Sequence, residues 1–444
     1  MRIALVAYGC EPDRGSEQGV GWSFLNEILL RGHEVTVYVH GSQRAAIEND
    51  SSLGKLPVLF KFIQPGNWPL EHPSRFVHQV HYTIWQWRVA DRIRRDDAVN
   101  AFDFVHYVTW GGIRMPTFGW RQTKPYIIGP VGGGEEAPLA LCGSISKRLL
   151  IKETFRKVLN RICLFDPLLW LSYGQAYRTF AKTSQSRKFL PPWSRHKCDI
   201  RFEIGARDEL LAGPAAHVLE TDADATHEAL AEKFESEPLR IIFVGRMLAW
   251  KAPSTAIATF VRLISRGVDA RLTIVGTGPE EPKIKAMIDD LIASKQIDKG
   301  QIDLIPAISQ PNLFDLMRTQ SIALFTSLHD SSGNFVLEAM SMGLPVVALS
   351  LGGPYELLRK GGGEIVDVDG KGHSEVVREL ADRIEALHAD RSTLLNRAQE
   401  ARRNAALMRW PDVVGRIYGQ LENELQSLAL NRLSDKSRNA PVAR

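Results

Sequence analysis

The sequence predicts an α/β protein built from two doubly wound, Rossmann-like domains, and three observations carry that prediction. A chain of 444 residues with 44% hydrophobic content is too long for one core. RIALVAY, VGWSFLNEILLRG and HEVTVYVH, within residues 2–40, read as strand, helix and strand, a βαβ unit that implies a parallel sheet. The pattern then restarts: LRIIFVGR is a strand, APSTAIATFVRLISRG a helix, ARLTIVGTG a strand and EEPKIKAMIDDLIAS a helix, so a second α/β domain begins near Arg240.

In the first half, FDFVHYV and KPYIIGPV add buried strands whose carboxyl-end loops are ligand positions in open α/β sheets. The expected domains are 1–205, a polar, acidic, alanine-rich linker at 206–238, and 239–405. ARRNAALMRWPDVVGRIYGQLENELQSLAL reads as one helix interrupted at Pro411; residues 406–430 form its terminal part, and 431–444 a disordered tail. Two α/β halves facing each other would place a small-molecule site in the cleft between them.

Composition narrows the function classes. Cys10, Cys142, Cys163 and Cys198 show no CxxC spacing, and the opening residues lack the pattern of a signal peptide, which fits a reducing cytoplasm. No apolar run approaches the roughly 18 to 20 residues that cross a bilayer, so membrane contact would be peripheral. A net charge of +4 gives no argument for nucleic acid but allows a local basic surface.

Three glycine loops and one acidic pair carry the chemistry. Gly15, between the first strand and first helix, either approaches an anion or serves turn geometry. Gly245 ends a strand; Arg246 and Lys251 follow it in one loop and either neutralise a diphosphate or are solvated charges at a helix start. GPVGGGEEAP, residues 129–138, either lets backbone approach a ligand closely or serves a mobile loop, and Glu135 and Glu136 either bind sugar hydroxyls or, as expected unless the cleft wraps around them, are solvated. In HDSSGNFVLEAM, residues 329–340, Gly333 precedes a helix. The first-turn amides of Asn334, Phe335, Val336 and Leu337 would be unpaired donors, with Asp330 and Glu338 either accepting sugar hydroxyls or capping helix ends. No histidine or second carboxylate other than His329 stands at ligand spacing, so no metal is expected there. DVDG at 367–370 lacks the later glutamate of a calcium loop and reads as a turn.

Together these motifs resemble the retaining glycosyltransferases of family four, which have the GT-B architecture of two facing Rossmann-like domains with an interdomain cleft. The resemblance rests on GR followed by Lys251, VGTGPE, the acid pair ending at Glu338, LEAMSMGLPVVA, and Gly352 and Gly353. CEPDRGSEQGVGW, HYVTWGGIRMPTFGW and GPVGGGE are similar to a bacterial branch that builds surface polysaccharides and exopolysaccharides.

The resemblance implies that Arg246 and Lys251 bind the donor diphosphate, Glu338 the ribose and Asp330 the transferred sugar. The amides of Gly333 to Val336 would serve sugar and phosphates, and Gly15 would approach the diphosphate. The donor would be a nucleotide diphosphate sugar, the acceptor lipid-linked or a growing glycan, and neither cofactor nor metal would be required. Helix 406–430 is expected to return to the first domain. The chain departs from the family in having Asp330 where glutamate is usual, and Val108 where many relatives carry a second histidine after His106. His106, at a strand end, is either a cleft histidine near the reacting sugar or a structural residue. The same architecture also serves sugar-nucleotide epimerases, phosphorylases and non-catalytic binding proteins.

On the acceptor side, SKRLLIKETFRKVLNRICLFDPLLWL sets Lys147, Arg148, Lys152, Arg156, Lys157 and Arg161 against Leu150, Ile151, Phe155, Val158, Leu159 and Ile162. Segment 147–171 thus reads either as a helix lying on an anionic membrane or as an amphipathic helix packed on its own core. Eight of the ten tryptophans precede the linker, and Trp110 and Trp120 bracket the loop expected to meet the acceptor.

Overall fold

Both sheets begin as the sequence predicts, with β-branched and apolar runs that are buried along most of their length. The computed structural model describes residues 1–12, 14, 16–51, 54, 56–64, 66, 75–211 and 238–438. The first sheet comprises β1 (Arg2–Val6), β2 (Glu34–His40), β3 (Val58–Ile63), β4 (Phe104–Tyr107), β5 (Tyr126–Val131), β6 (Arg178–Ala181) and β7 (Cys198–Ile200). Its order is β3-β2-β1-β4-β5-β6-β7. The second comprises β8 (Leu239–Val244), β9 (Ala270–Val275), β10 (Ile302–Ile305), β11 (Ile322–Phe325), β12 (Val346–Leu349) and β13 (Gly363–Val366), in the order β10-β9-β8-β11-β12-β13. Strand pairs such as β8 with β9, in register from Leu239 with Ala270 to Val244 with Val275, are parallel. Helices cover both faces of such sheets, which is why β1 and β11 are continuous apolar runs rather than alternating ones.

Strand order reverses between β1 and β4 in the first sheet and between β8 and β11 in the second. The loops leaving the two strands on either side of a reversal diverge and open a crevice, the usual ligand position in this architecture.

The chain forms two compact units, and they do not divide at the linker. One holds Met1–Trp110, Arg121–Ile127 and the chain from Trp410 onward; the other holds Gly111–Trp120 and Ile128–Arg409. Sheet membership changes where the sequence expects it to, with β1–β7 before residue 205 and β8–β13 from residue 239, but side chains also tie the segment from Ile128 to helices and loops of the second sheet. Ser184 donates from backbone and hydroxyl to Glu356, Ser332 to Glu203 at 2.6 Å, and Lys283 to the carbonyl of Ile145 at 3.2 Å. Most of the expected linker, 212–237, lies outside the described residues.

At the C-terminus the single interrupted helix becomes two, Arg391–Ala406 and Trp410–Arg438. Pro411 stands in the first turn of the second, where its missing N–H costs no hydrogen bond, so it starts a helix instead of breaking one. That helix runs to Arg438, eight residues into the segment expected to be a tail; 439–444 lie outside the described residues. It packs within the first unit, with Trp410 edge-on to Phe24 and Glu422 bonding Arg31 and His33.

Candidate active site

The reversal between β8 and β11 gathers most of the residues singled out in the sequence. After β8 the chain passes Arg246, forms a short 3-10 turn at Ala249–Lys251, and enters helix Pro253–Ser265. Arg246 is exposed and, among the described residues, makes no side-chain hydrogen bond or ion pair. Lys251 reaches across the reversal to ion-pair with Asp330, its ammonium 4.7 Å from the Trp250 ring centroid and 5.1 Å from that of Phe325. Thr326, just after β11, locks the turn by donating to the carbonyls of Lys251 and Ala252.

Asp330 organises the loop it belongs to. One carboxylate oxygen takes Lys251, and the other accepts the amides of Ser332 at 3.1 Å and Gly333 at 3.0 Å. This turn from an acid to the amides two and three residues on suits the short arm of aspartate, which accounts for its place where a glutamate was expected. Burial opposes the negative charge on Asp330, but Lys251 and the two amides outweigh it and hold the carboxyl below the ordinary aspartate range. Gly333 therefore gives its amide to Asp330 and not to a ligand. Leu337 likewise bonds the Gly333 carbonyl at 3.0 Å inside helix Asn334–Ser341. The donors left at this helix start, among the described residues, are the amides of Asn334, Phe335 and Val336. Gly245 is a packing glycine, since its amide bonds the carbonyl of Val275 at 3.0 Å.

Gly352 shows why the loop is followed by a double glycine. Its φ is +60°, and a Cβ there would stand 2.0 Å from the carbonyl oxygen of Asp330. The next residue, Gly353, donates its amide to that oxygen at 2.7 Å.

Glu338 sits in the second turn of the helix, largely buried. Burial raises its pKa, an effect that Arg207 and a hydrogen bond from Gln310 oppose. Gln310 donates to it at 3.4 Å and accepts from Arg207 at 2.8 Å. A ring of residues that sequence reasoning missed supports the acidic loop. Buried Lys182 pairs with Glu203, which also holds Ser332, and a Cβ on Gly132 would meet Lys182 and Ser331 within 3 Å. His329 stacks on Trp250 with centroids 4.4 Å apart and bonds Glu153 at 3.1 Å. Burial, helped by Arg156, pushes the His329 imidazole down to about 3, so it is neutral when it donates to Glu153. No local signal marked Glu153, Lys182, Glu203, Arg207 or Gln310, because each reaches the site from a distant part of the chain.

Several expectations are corrected. His106 is not a cleft histidine: it is fully buried in the first unit, bonded to the Tyr418 hydroxyl at 2.8 Å and edge-on to Phe24. Glu135 is not solvated. It is 2% exposed and accepts from Thr183 at 2.6 Å, Ser186 at 2.7 Å and the amide of Gly133 at 2.8 Å, fixing the glycine loop. Glu136 is only slightly exposed and takes Arg161 and Asn160. Gly15 lies outside the described residues. Trp110 packs on Tyr8 and His78 in the first unit, and Trp120 on Phe118 in the second. The DVDG segment is a turn after β13, with Ser350 bonded to Asp367.

The architecture has clear counterparts among solved structures. The Anabaena protein HepE in complex with UDP-glucose superposes with a TM-score of 0.57 at 14% identity, covering 95% of this chain and all of that one. The lipopolysaccharide outer core galactosyltransferase WaaB, in its apo form, gives 0.55 at 12%, covering 96% of this chain and all of that one. The fold is GT-B. In the second GT-B domain, residues 238–390 match the family model described as glycosyl transferases group 1. Curated relatives include the D-inositol 3-phosphate glycosyltransferases of Pseudarthrobacter chlorophenolicus, 29% identical over 175 residues, and Rhodococcus jostii, 28% over 173. Each match covers 38% of this chain, and the chain spans 39% and 37% of the two relatives' lengths. The GT-B sheet reversal thus lies inside the matched segment, with Arg246, Lys251, Asp330 and Glu338 on it.

Proposed function

We propose that the protein transfers a sugar, with retention at the anomeric carbon, from a nucleotide diphosphate sugar to a lipid-linked or growing polysaccharide acceptor. The observation that carries this reading is the convergence at the β8/β11 reversal of two cations, Arg246 and Lys251, with three open amides at a helix start and a carboxylate, Glu338, one turn further in. Cations and amides suit a diphosphate; the carboxylate suits ribose hydroxyls. The group 1 match and the nucleotide-bound neighbour support the same donor class.

In this mechanism the C–O bond to the leaving phosphate breaks as positive charge from Arg246, Lys251 and the helix start meets the charge developing on the diphosphate. The departing phosphate oxygen takes the acceptor proton on the face from which the acceptor attacks. Divalent metal has no step, so turnover in a chelator should equal turnover without one. The acceptor class places the enzyme at the cytoplasmic face of a membrane, in polysaccharide assembly.

The test is a thermal-shift screen of UDP, GDP and their sugars, followed by transfer assays on Lys251→Ala and Glu338→Ala. Lys251→Ala should lower kcat by about 100-fold or more, the scale of losing one charge-stabilising donor. Glu338→Ala should raise the donor KM by roughly 10- to 100-fold, as expected for losing charge-assisted hydrogen bonds. Near-normal transfer by both variants, with both folded, would remove this site from the reaction.

A further inference from the structure

Helix Lys147–Ile162 is built inside out. Its inward stripe is Leu149, Glu153, Arg156 and Asn160: Glu153 is 1% exposed and Asn160 fully buried, while Arg156 donates to the carbonyls of Glu135 and Gly133. Asn160 accepts from Arg114 at 2.6 Å and donates to Glu136 at 3.3 Å. The polar groups thus hold the glycine loop and, through Glu153, His329. The apolar groups face outward, with Ile151 70%, Phe155 62% and Ile162 58% exposed and Val158 and Leu159 beside them. Recurrence at i, i+4, i+7, i+8 and i+11 makes these one stripe. Exposed Phe165, Leu168 and Trp170 follow it in the turn and helix beyond, and exposed Trp193, from the later turn Pro192–Lys197, stands edge-on to Trp170 at 5.4 Å.

We propose that this outer face is a docking surface for an anionic lipid bilayer. The proposal rests on the acceptor being membrane-borne, as in the function proposed above, and names the surface that would bring the enzyme to it. A helix that turns glutamate, arginine and asparagine inward and leaves isoleucine and phenylalanine outward has its apolar side covered by something other than its own core. Charge identifies the cover. Residues 147–171 hold six lysines and arginines against two acids, a net +4 equal to that of the whole chain, so the remainder is balanced. Lys147, Arg148, Lys152 and Arg161 are exposed along the stripe. Anionic headgroups complement such a border, and indoles favour the interfacial zone. A second copy of the face would instead oppose +4 to +4. No helix among the described residues is long and apolar enough to cross a membrane, so the contact is interfacial.

The test is co-sedimentation of the full chain with phosphatidylcholine vesicles, with and without phosphatidylglycerol, for wild type, Phe155→Ser/Phe165→Ser and Arg148→Glu/Lys152→Glu. Wild type should partition at least tenfold better onto the anionic vesicles, and each double variant should lose at least tenfold of that binding while keeping the wild-type nucleotide thermal shift. Three results would overturn the proposal: equal binding to both vesicle types, variants that sediment like wild type, or a wild-type dimer in ultracentrifugation that Phe155→Ser/Phe165→Ser abolishes. The two readings fail separately. A chain that shows no shift with any nucleotide sugar but sediments through Phe155 and Phe165 keeps the docking surface and loses the transferase; the reverse pattern keeps the transferase alone.

Discussion

Two acids eight positions apart do different work at this site. Asp330 is engaged by its own loop and by Lys251, whereas Glu338 accepts a side-chain hydrogen bond from Gln310, feels the nearby charge of Arg207 and carries a raised pKa. A ribose-binding carboxylate must be ionised, and a raised pKa means that protonation sets in at a higher pH than the ~4.3 of an ordinary glutamate. Donor affinity should therefore fall on acidification with a midpoint above that value, measured by nucleotide titration between pH 4 and 7, and Glu338→Gln should flatten that dependence. Arg246, Lys251 and Glu338 were legible in the sequence because each falls within a few residues of a strand end or glycine. Arg207 and Gln310 were not, since what brings them to Glu338 is the meeting of chain segments far apart. His106 stayed open between two readings for a related reason: a strand-end histidine looks the same in sequence whether it opens on a crevice or lies under Tyr418.

Elements were easier to find than their orientation. The strongly apolar strands stood out, but β3, β6, β7 and β10 did not, being short or carrying charged and polar residues. The amphipathicity of Lys147–Ile162 was plain. Which side faced inward was not, because periodicity defines an axis and leaves its sense open until the neighbours are known. The loop from Asp330 and the helix Gly352–Leu358 depend on backbone contact, and that dependence is testable. Alanine at 352 would hold a left-handed conformation costing about 1–2 kcal/mol, and its Cβ would also press on the Asp330 carbonyl. Gly352→Ala should lower the thermal midpoint and abolish the nucleotide-induced shift, whereas Gly370→Ala, also at positive φ but with open space around it, should cost only the conformational part.

At the scale of the molecule, the first unit is completed by residues from both ends of the chain. Trp410, Tyr418 and Glu422 cover Phe24, His106, Arg31 and His33. Truncation after Arg409 should leave the second unit protected in hydrogen exchange, while the amides of helix Ser16–Leu30 lose protection; equal protection with and without the last helix would contradict its structural role. The same connectivity bears on synthesis. At ~5 to 20 residues per second, a ribosome takes roughly 15 to 55 s to pass from Ile128 to Arg409. Throughout that interval the first-made unit lacks its closing helix and keeps Phe24 and His106 uncovered, so the part translated first is the part finished last. Chaperones at the tunnel exit would find their client there.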